Sequence, residues 1–483
     1  MASPLSLAPR GGLVKTGGLT SEFGDDDSPW SDGDRRSIPS IFWTCLVTIF
    51  TCTWISVHPN IAGYKASWWS RFWNRVELML WGIIAPELLV LYAYRQWLGA
   101  RMITKELKEK AQGDGLAVDH WTNVHGHFLQ MGGFIFQDEL GTHYLNIWSE
   151  IIDAFFKESW TKECCRRRRK ALLSLPLTAE EISDRSKGDI IAKTFVVIQT
   201  SWFIIHFIVR AALKLDITEL EIITLGYAVL NGVMYFLWWD KPLDVECPII
   251  VHVSCPGPST GPTRSDSLNK APSVEVAVVE LESRTEYDTH TTSIPSASPS
   301  KISILWLNFV TLVLNASIVR GFFCRVLDIA ESRKSRRIES TATSVPTFYA
   351  YSTTPRMENV VQVVAALLAS VFGAIHCIAW FFQFQNTVDC QLWRVSSLYI
   401  TIAPFLVLLP RLCNLANANL TSSFAGTVME GFSYITLNLA YYLLLPLYVP
   451  ARIILLVLAM KQLTYLTPDA RRTVEWLNLV PHV

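Results

Sequence analysis

The sequence predicts an all-α protein, a polytopic transmembrane bundle of about eight helices, and three observations predict it. Apolar runs close to the roughly 20 residues that carry a helix across about 30 Å of hydrocarbon recur along the chain. Tryptophans and long cations stand at the ends of those runs, where amphipathic rings and snorkelling side chains meet headgroups. Charge is scarce, with 17% charged and 50% hydrophobic residues among 483, whereas soluble domains carry about 25% charged residues.

The clearest pair of runs forms a hairpin. Residues 190–209 have Lys187 and Lys193 at one end and Arg210 and Lys214 at the other. Residues 222–239 follow Glu219 and Glu221 and close on Trp238 and Trp239. The other expected spans are residues 38–57, 78–98, 304–323, 360–384, 395–412 and 434–460, the last broken by Pro446, Pro450 and Arg452. Between them the composition divides the chain. Residues 1–37, rich in Gly, Ser and Asp, read as a disordered tail without the basic start and apolar core of a signal peptide. Residues 38–245 form a first membrane half containing an amphipathic and basic loop, 99–189, expected in the cytosol. Residues 246–301, dense in Pro, Ser and Thr, read as a disordered linker. A second membrane half, 302–460, and a tail, 461–483, complete the chain.

Within the loop, Tyr144, Trp148, Ile151, Ile152, Phe155 and Phe156 recur at helical spacing, predicting an amphipathic helix over 142–163. It runs into Cys164 and Cys165, candidates for S-acylation, and then Arg166, Arg167, Arg168, Arg169 and Lys170. Five consecutive cations beside a bilayer attract anionic headgroups at about 1 kcal/mol each, so lipid is the expected partner. The same run argues that this loop is cytosolic. Eight crossings then put both chain ends in the cytosol and the sequon at Asn419 outside, open to glycosylation. Arg325, Arg333, Lys334, Arg336 and Arg337 oppose that arrangement, because it leaves them outside; with seven crossings, residues 304–323 dipping in without crossing, the conflict disappears, the C-terminus moves outside and the sequon moves inside.

Polar groups inside apolar runs are expensive and count as functional candidates. Glu87, Gln199, Asn231, Asn315 and His376 make up the candidate intramembrane site, and Pro86 beside Glu87 predicts a kink. His125 and His127 have no third or fourth ligand at a usual spacing, so neither metal nor cofactor is expected. Gly132 and Gly133 lack the following Lys and Ser or Thr of a phosphate loop. A formal net charge of zero argues against nucleic-acid binding. The cysteines show no close-spaced disulfide framework; Cys45, Cys52, Cys377 and Cys413 read as small hydrophobes, and Cys390, in a polar connection, is the candidate for pairing, with Cys324 as a distant partner.

Several short segments resemble a large family of uncharacterised multi-pass membrane proteins of filamentous and mushroom-forming fungi. They are HPNI at 58–61, APELLV at 85–90, MGGF at 131–134, SKGD at 186–189, QTSWF at 199–203, WWDKPLDV at 238–245, GAIHCIAW at 373–380 and the final PHV. The resemblance implies membrane class and host and carries no catalytic residue. Three classes of function remain: a transporter, channel or sensor built on the interior polar groups; a membrane enzyme using Glu87 or His376 as acid or base; or a scaffold acting through tail, loop and linker. The first is favoured, because Pro86, Pro404 and Pro446 resemble the helix breaks that expose backbone to solutes. Plasma membrane and endomembrane are not distinguished.

Overall fold

A computed structural model of the chain describes residues 35–63, 66–116, 120–137, 143–145, 162–186, 189–253, 325–326, 344–351, 355–417 and 444–474. Asn315, Asn419, Cys324, the apolar run 304–323, residues 1–34 and most of the linker lie outside them, as do 146–161 of the expected amphipathic helix.

The described chain is a helical bundle with a small mixed cap. In order, α1 (Ile38–Phe50) continues through a π-helical turn to Ile55, followed by α2 (Trp68–Ile84), α3 (Pro86–Gly113) and α4 (Asn123–Gln130). Strands β1 (Phe134–Gln137) and β2 (His143–Leu145) precede α5 (Lys162–Leu173), α6 (Ala179–Asp184), α7 (Asp189–Ala212) and α8 (Glu219–Leu237). After β3 (Ile249–His252) come α9 (Pro355–His376), α10 (Thr387–Asn417), α11 (Leu445–Gln462) and the single turn α12 (Pro468–Arg471). Among the described residues six helical segments are long and apolar enough to cross a bilayer: Ile38–Ile55, Ile191–Ala212, Glu219–Leu237, Met357–Phe381, Thr387–Leu408 and Pro446–Tyr465.

The expected span at 78–98 is corrected. It is two helices, α2 and α3, meeting at an angle of 120°. Pro86 supplies no N–H to the carbonyl four residues back, and Ala85, at φ −148° and ψ 71°, leaves helical geometry altogether. Counted as one, this pair raises the described spans to seven at most, and the eighth expected run, 304–323, is not described.

The ends of the six segments alternate. Arg36 at the start of α1 donates to Glu221 at the start of α8 (2.6 Å), and Arg210 near the end of α7 donates to the carbonyl of Arg472 beyond α11 (2.7 Å). Asp389 in α10 binds Lys461 in α11 (2.7 Å), completing this first face. At the opposite face, Lys241 after α8 binds residues just after α1, and Ser186 before α7 accepts from the Leu243 amide (2.8 Å). Glu358 at the start of α9 pairs there with Arg95. The hairpin α2–α3 opens towards this second face at both ends: Arg75 reaches Asp244 (2.6 Å), while Gln96 accepts from Lys241 (2.8 Å). Its elbow is nine or ten residues deeper, about 15 Å at helical rise, which is half of a roughly 30 Å hydrocarbon layer.

The cap stands on the second face. The region expected as an amphipathic and basic loop supplies two strands of a three-stranded sheet of order β2-β1-β3, with β1–β2 antiparallel and β1–β3 parallel, and β3 comes from beyond α8. Phe134 pairs with Ile249 and Gln137 with His252, so residues 249–252, within the stretch read as linker, are strand. Residues 143–145 are strand where a helix was expected. Extension suits them because Tyr144 pairs with Phe136 of β1. Phe128, Phe134, Phe136, Trp121, Leu172 and Ile182, with the far half of α3, form its core.

Candidate functional site

Three of the predicted intramembrane groups converge on the elbow of the hairpin. Glu87, in the first turn of α3, is 5% exposed and accepts from Arg452 Nη1 of α11 at 3.2 Å. Arg452 Nη2 reaches the Tyr227 hydroxyl (3.2 Å), which itself donates to the carbonyl of Ile83 at the end of α2 (2.6 Å). One arginine thus spans the break: its charge faces the carbonyl end of α2, and its carboxylate partner sits at the amide end of α3, each the favourable sign for a helix dipole. Phe372 of α9 covers the guanidinium at 4.3 Å, and His376 packs on Phe372 at 4.8 Å while its Nδ1 donates to that residue's carbonyl (2.8 Å). The Tyr448 hydroxyl is buried beside the pair, close to both Glu87 and Arg452.

Asn231 of α8 lines a cavity of about 10 Å³ shared with Thr53, Gly82, Pro86 and Tyr227. Its Oδ1 is buried with no partner among the described residues. Gln199 is elsewhere, donating to Thr48 Oγ1 of α1 at 3.0 Å. Asn315 falls outside the described residues.

Arg452 is the member that sequence reasoning passed over, reading it only as an interruption of the last span. A signal existed: an arginine within an apolar run requires an anion, and Glu87 is the carboxylate of another such run.

A second network had no such signal. Lys241, within WWDKPLDV, is 1% exposed. Its Nζ donates to the His58 carbonyl, to Gln96 Oε1 (2.8 Å) and to Asn60 Oδ1 (3.3 Å), and stands 4.8 Å from the Trp238 ring. Gln96 also accepts from Trp238 Nε1 (3.0 Å) and donates to the Tyr349 carbonyl (3.0 Å). Desolvation holds the Lys241 amine well below the ordinary lysine value and the His58 imidazole well below the ordinary histidine value. HPNI, WWDKPLDV and SKGD therefore meet in one place, with Asn60 also lining a polar cavity of about 220 Å³ whose rim includes Ser70, Asn74 and Thr347.

In the cap, His125 closes a capping box with Thr122 and its Nε2 lies 3.0 Å from the Leu177 carbonyl. His127 is fully buried, and burial lowers its imidazole from 6.5 to about 3. No cluster of three metal-ligating side chains occurs among the described residues. The basic run divides. Arg168 is buried over the Phe136 ring (5.1 Å) and Arg169 binds Asp114 (2.7 Å), while the exposed Arg166 approaches the same carboxylate (3.6 Å) and Arg167 and Lys170 are exposed. Cys45, Cys52, Cys377 and Cys390 are free thiols, the first two buried.

Fold and site define a helical protein of membrane type, with six described segments long and apolar enough to cross a bilayer. Residues 20–256 match the profile of a family of unknown function (DUF8562). That stretch runs from before α1 to just past β3, so it includes the hairpin, the cap and the side chains around Lys241, but not Arg452. No curated protein and no solved structure matches the chain.

Proposed function

We propose that this protein moves or senses a small polar solute, with the hairpin α2–α3 as its working element and the Glu87–Arg452 pair as its latch. The observation that supports the reading is the position of that pair: opposite charges, both buried, join two helix ends at the depth where irregular backbone is tolerated only against protein or a water-filled path. A proton on the Glu87 carboxylate, or a solute anion competing for Arg452, would free the tip of the hairpin from α11. Membership in a fungal multi-pass family and contact of Arg166, Arg167 and Lys170 with anionic lipid complete the reading.

Proton and small-anion flux into proteoliposomes tests it. The wild type should carry flux above protein-free vesicles, and Glu87→Gln/Arg452→Gln, which removes both charges together, should lower solute-dependent flux at least tenfold with its unfolding midpoint nearly unchanged. Equal flux from the folded double variant, or none from the wild type, rejects the proposal.

A further inference from the structure

We infer that the cap, the linker and the Asn419 segment lie on the cytosolic side of the membrane, and that both ends of the chain lie on the opposite side. The inference is independent of what the protein transports. It follows from joining the two faces of the bundle to the direction of each helix. Arg36 bonds to the Ala470 carbonyl (2.7 Å) and to Glu221, and Thr467 donates to Asp216 (2.6 Å), so the start of α1, the α7–α8 elbow and α12 share one face. Thereafter α1, α8 and α10 run away from that face, and α7, α9 and α11 run back to it.

The hairpin α2–α3 leaves and regains the second face. Arg75 and Gln96 are anchored to Asp244 and Lys241 there, while Ile83 and Glu87 meet Tyr227 and Arg452. Tyr227 is eight residues from the start of α8, and Arg452 nine from Lys461, so both are about 12–14 Å from the first face by helical rise. Depths measured from either face agree on the middle of the layer, which is the geometry of a re-entrant hairpin and not of a crossing. Val253, bonded to Gln137 in the cap, and Thr347, bonded to Tyr92, likewise share the second face, so the run 304–323 adds no net crossing.

Two consequences separate this arrangement from the eight-span expectation. Arg325, paired with Glu77 of α2 (3.3 Å), shares the second face with Arg166, Arg167 and Lys170, which eases the conflict in the charge bias and makes that face cytosolic. The far end of α10, at Asn417, points to that face, so the inference expects no glycan on the sequon at Asn419, whereas eight crossings would expose it to the glycosylating compartment.

Protease protection of the full chain in sealed microsomes decides the matter, with one epitope at each end and a third inserted between residues 260 and 300. The end epitopes should be protected and the inserted one digested, with no endoglycosidase-sensitive mass at Asn419. Digestion of all three epitopes, or a glycan on Asn419 in the untagged chain, overturns the inference.

Discussion

Glu87 is the residue whose meaning changed most between sequence and structure. Alone in an apolar run, it would be expected to tolerate Glu87→Gln without loss of folding. Paired with a buried Arg452, it leaves an uncompensated guanidinium when neutralised, a loss of about 3–5 kcal/mol. We expect Glu87→Gln to lower the denaturation midpoint in detergent, and Glu87→Gln/Arg452→Gln to recover most of it; additive losses in that cycle would show that the two residues do not interact. His127 gives a second expectation, in the cap. Its imidazole is neutral in the fold down to about pH 3 but takes a proton below 6.5 once exposed. The unfolded chain then binds more protons across that window, so stability falls as pH drops from 6.5 towards 3, by on the order of 4 kcal/mol for this group. Melting of wild type and His127→Leu across this range should show a shallower acid slope in the variant.

At the scale of elements, contacts between helices rest on small residues. A Cβ at Gly373 would meet the Thr401 backbone at 2.6 Å, so α9 and α10 touch through bare backbone. Gly373→Ala should cost about 1–3 kcal/mol by forcing them apart. Gly232, in α8, has open space where a Cβ would go. There Gly232→Ala should be neutral or stabilising by up to about 1 kcal/mol, since alanine loses less freedom in a helix. Thermal melts of the two variants check the contrast, and similar losses in both would remove the packing argument. Periodicity made such elements legible: five of the eight expected runs coincide with candidate spans, and a sixth overlaps the described part of the last one. The strands were not legible. Four residues, FIFQ, carry too little alternation to announce themselves, and β1 pairs with a segment more than a hundred residues later.

At the scale of the whole molecule, the hairpin fixes the topology. One straight helix through 78–98 would place the cap on the same side as the start of the chain and send the two chain ends to opposite sides, whereas a 120° elbow at mid-depth separates the cap from both ends. A feature confined to Ala85 and Pro86 thus determines which loops meet which compartment, and the protease-protection experiment reads its effect on the entire chain.

The sequence by itself determined the solvent of this protein, because the length and apolarity of a run are local properties that lipid reads directly. It also marked Glu87, Asn231 and His376 as out of place in hydrocarbon. Tertiary structure alone decided that Glu87 answers Arg452, that Lys241 is ringed by neutral acceptors, and that the second apolar run turns back. Those facts depend on partners up to several hundred residues away and on depth in the bundle, and neither is written in the spacing of residues along one helix.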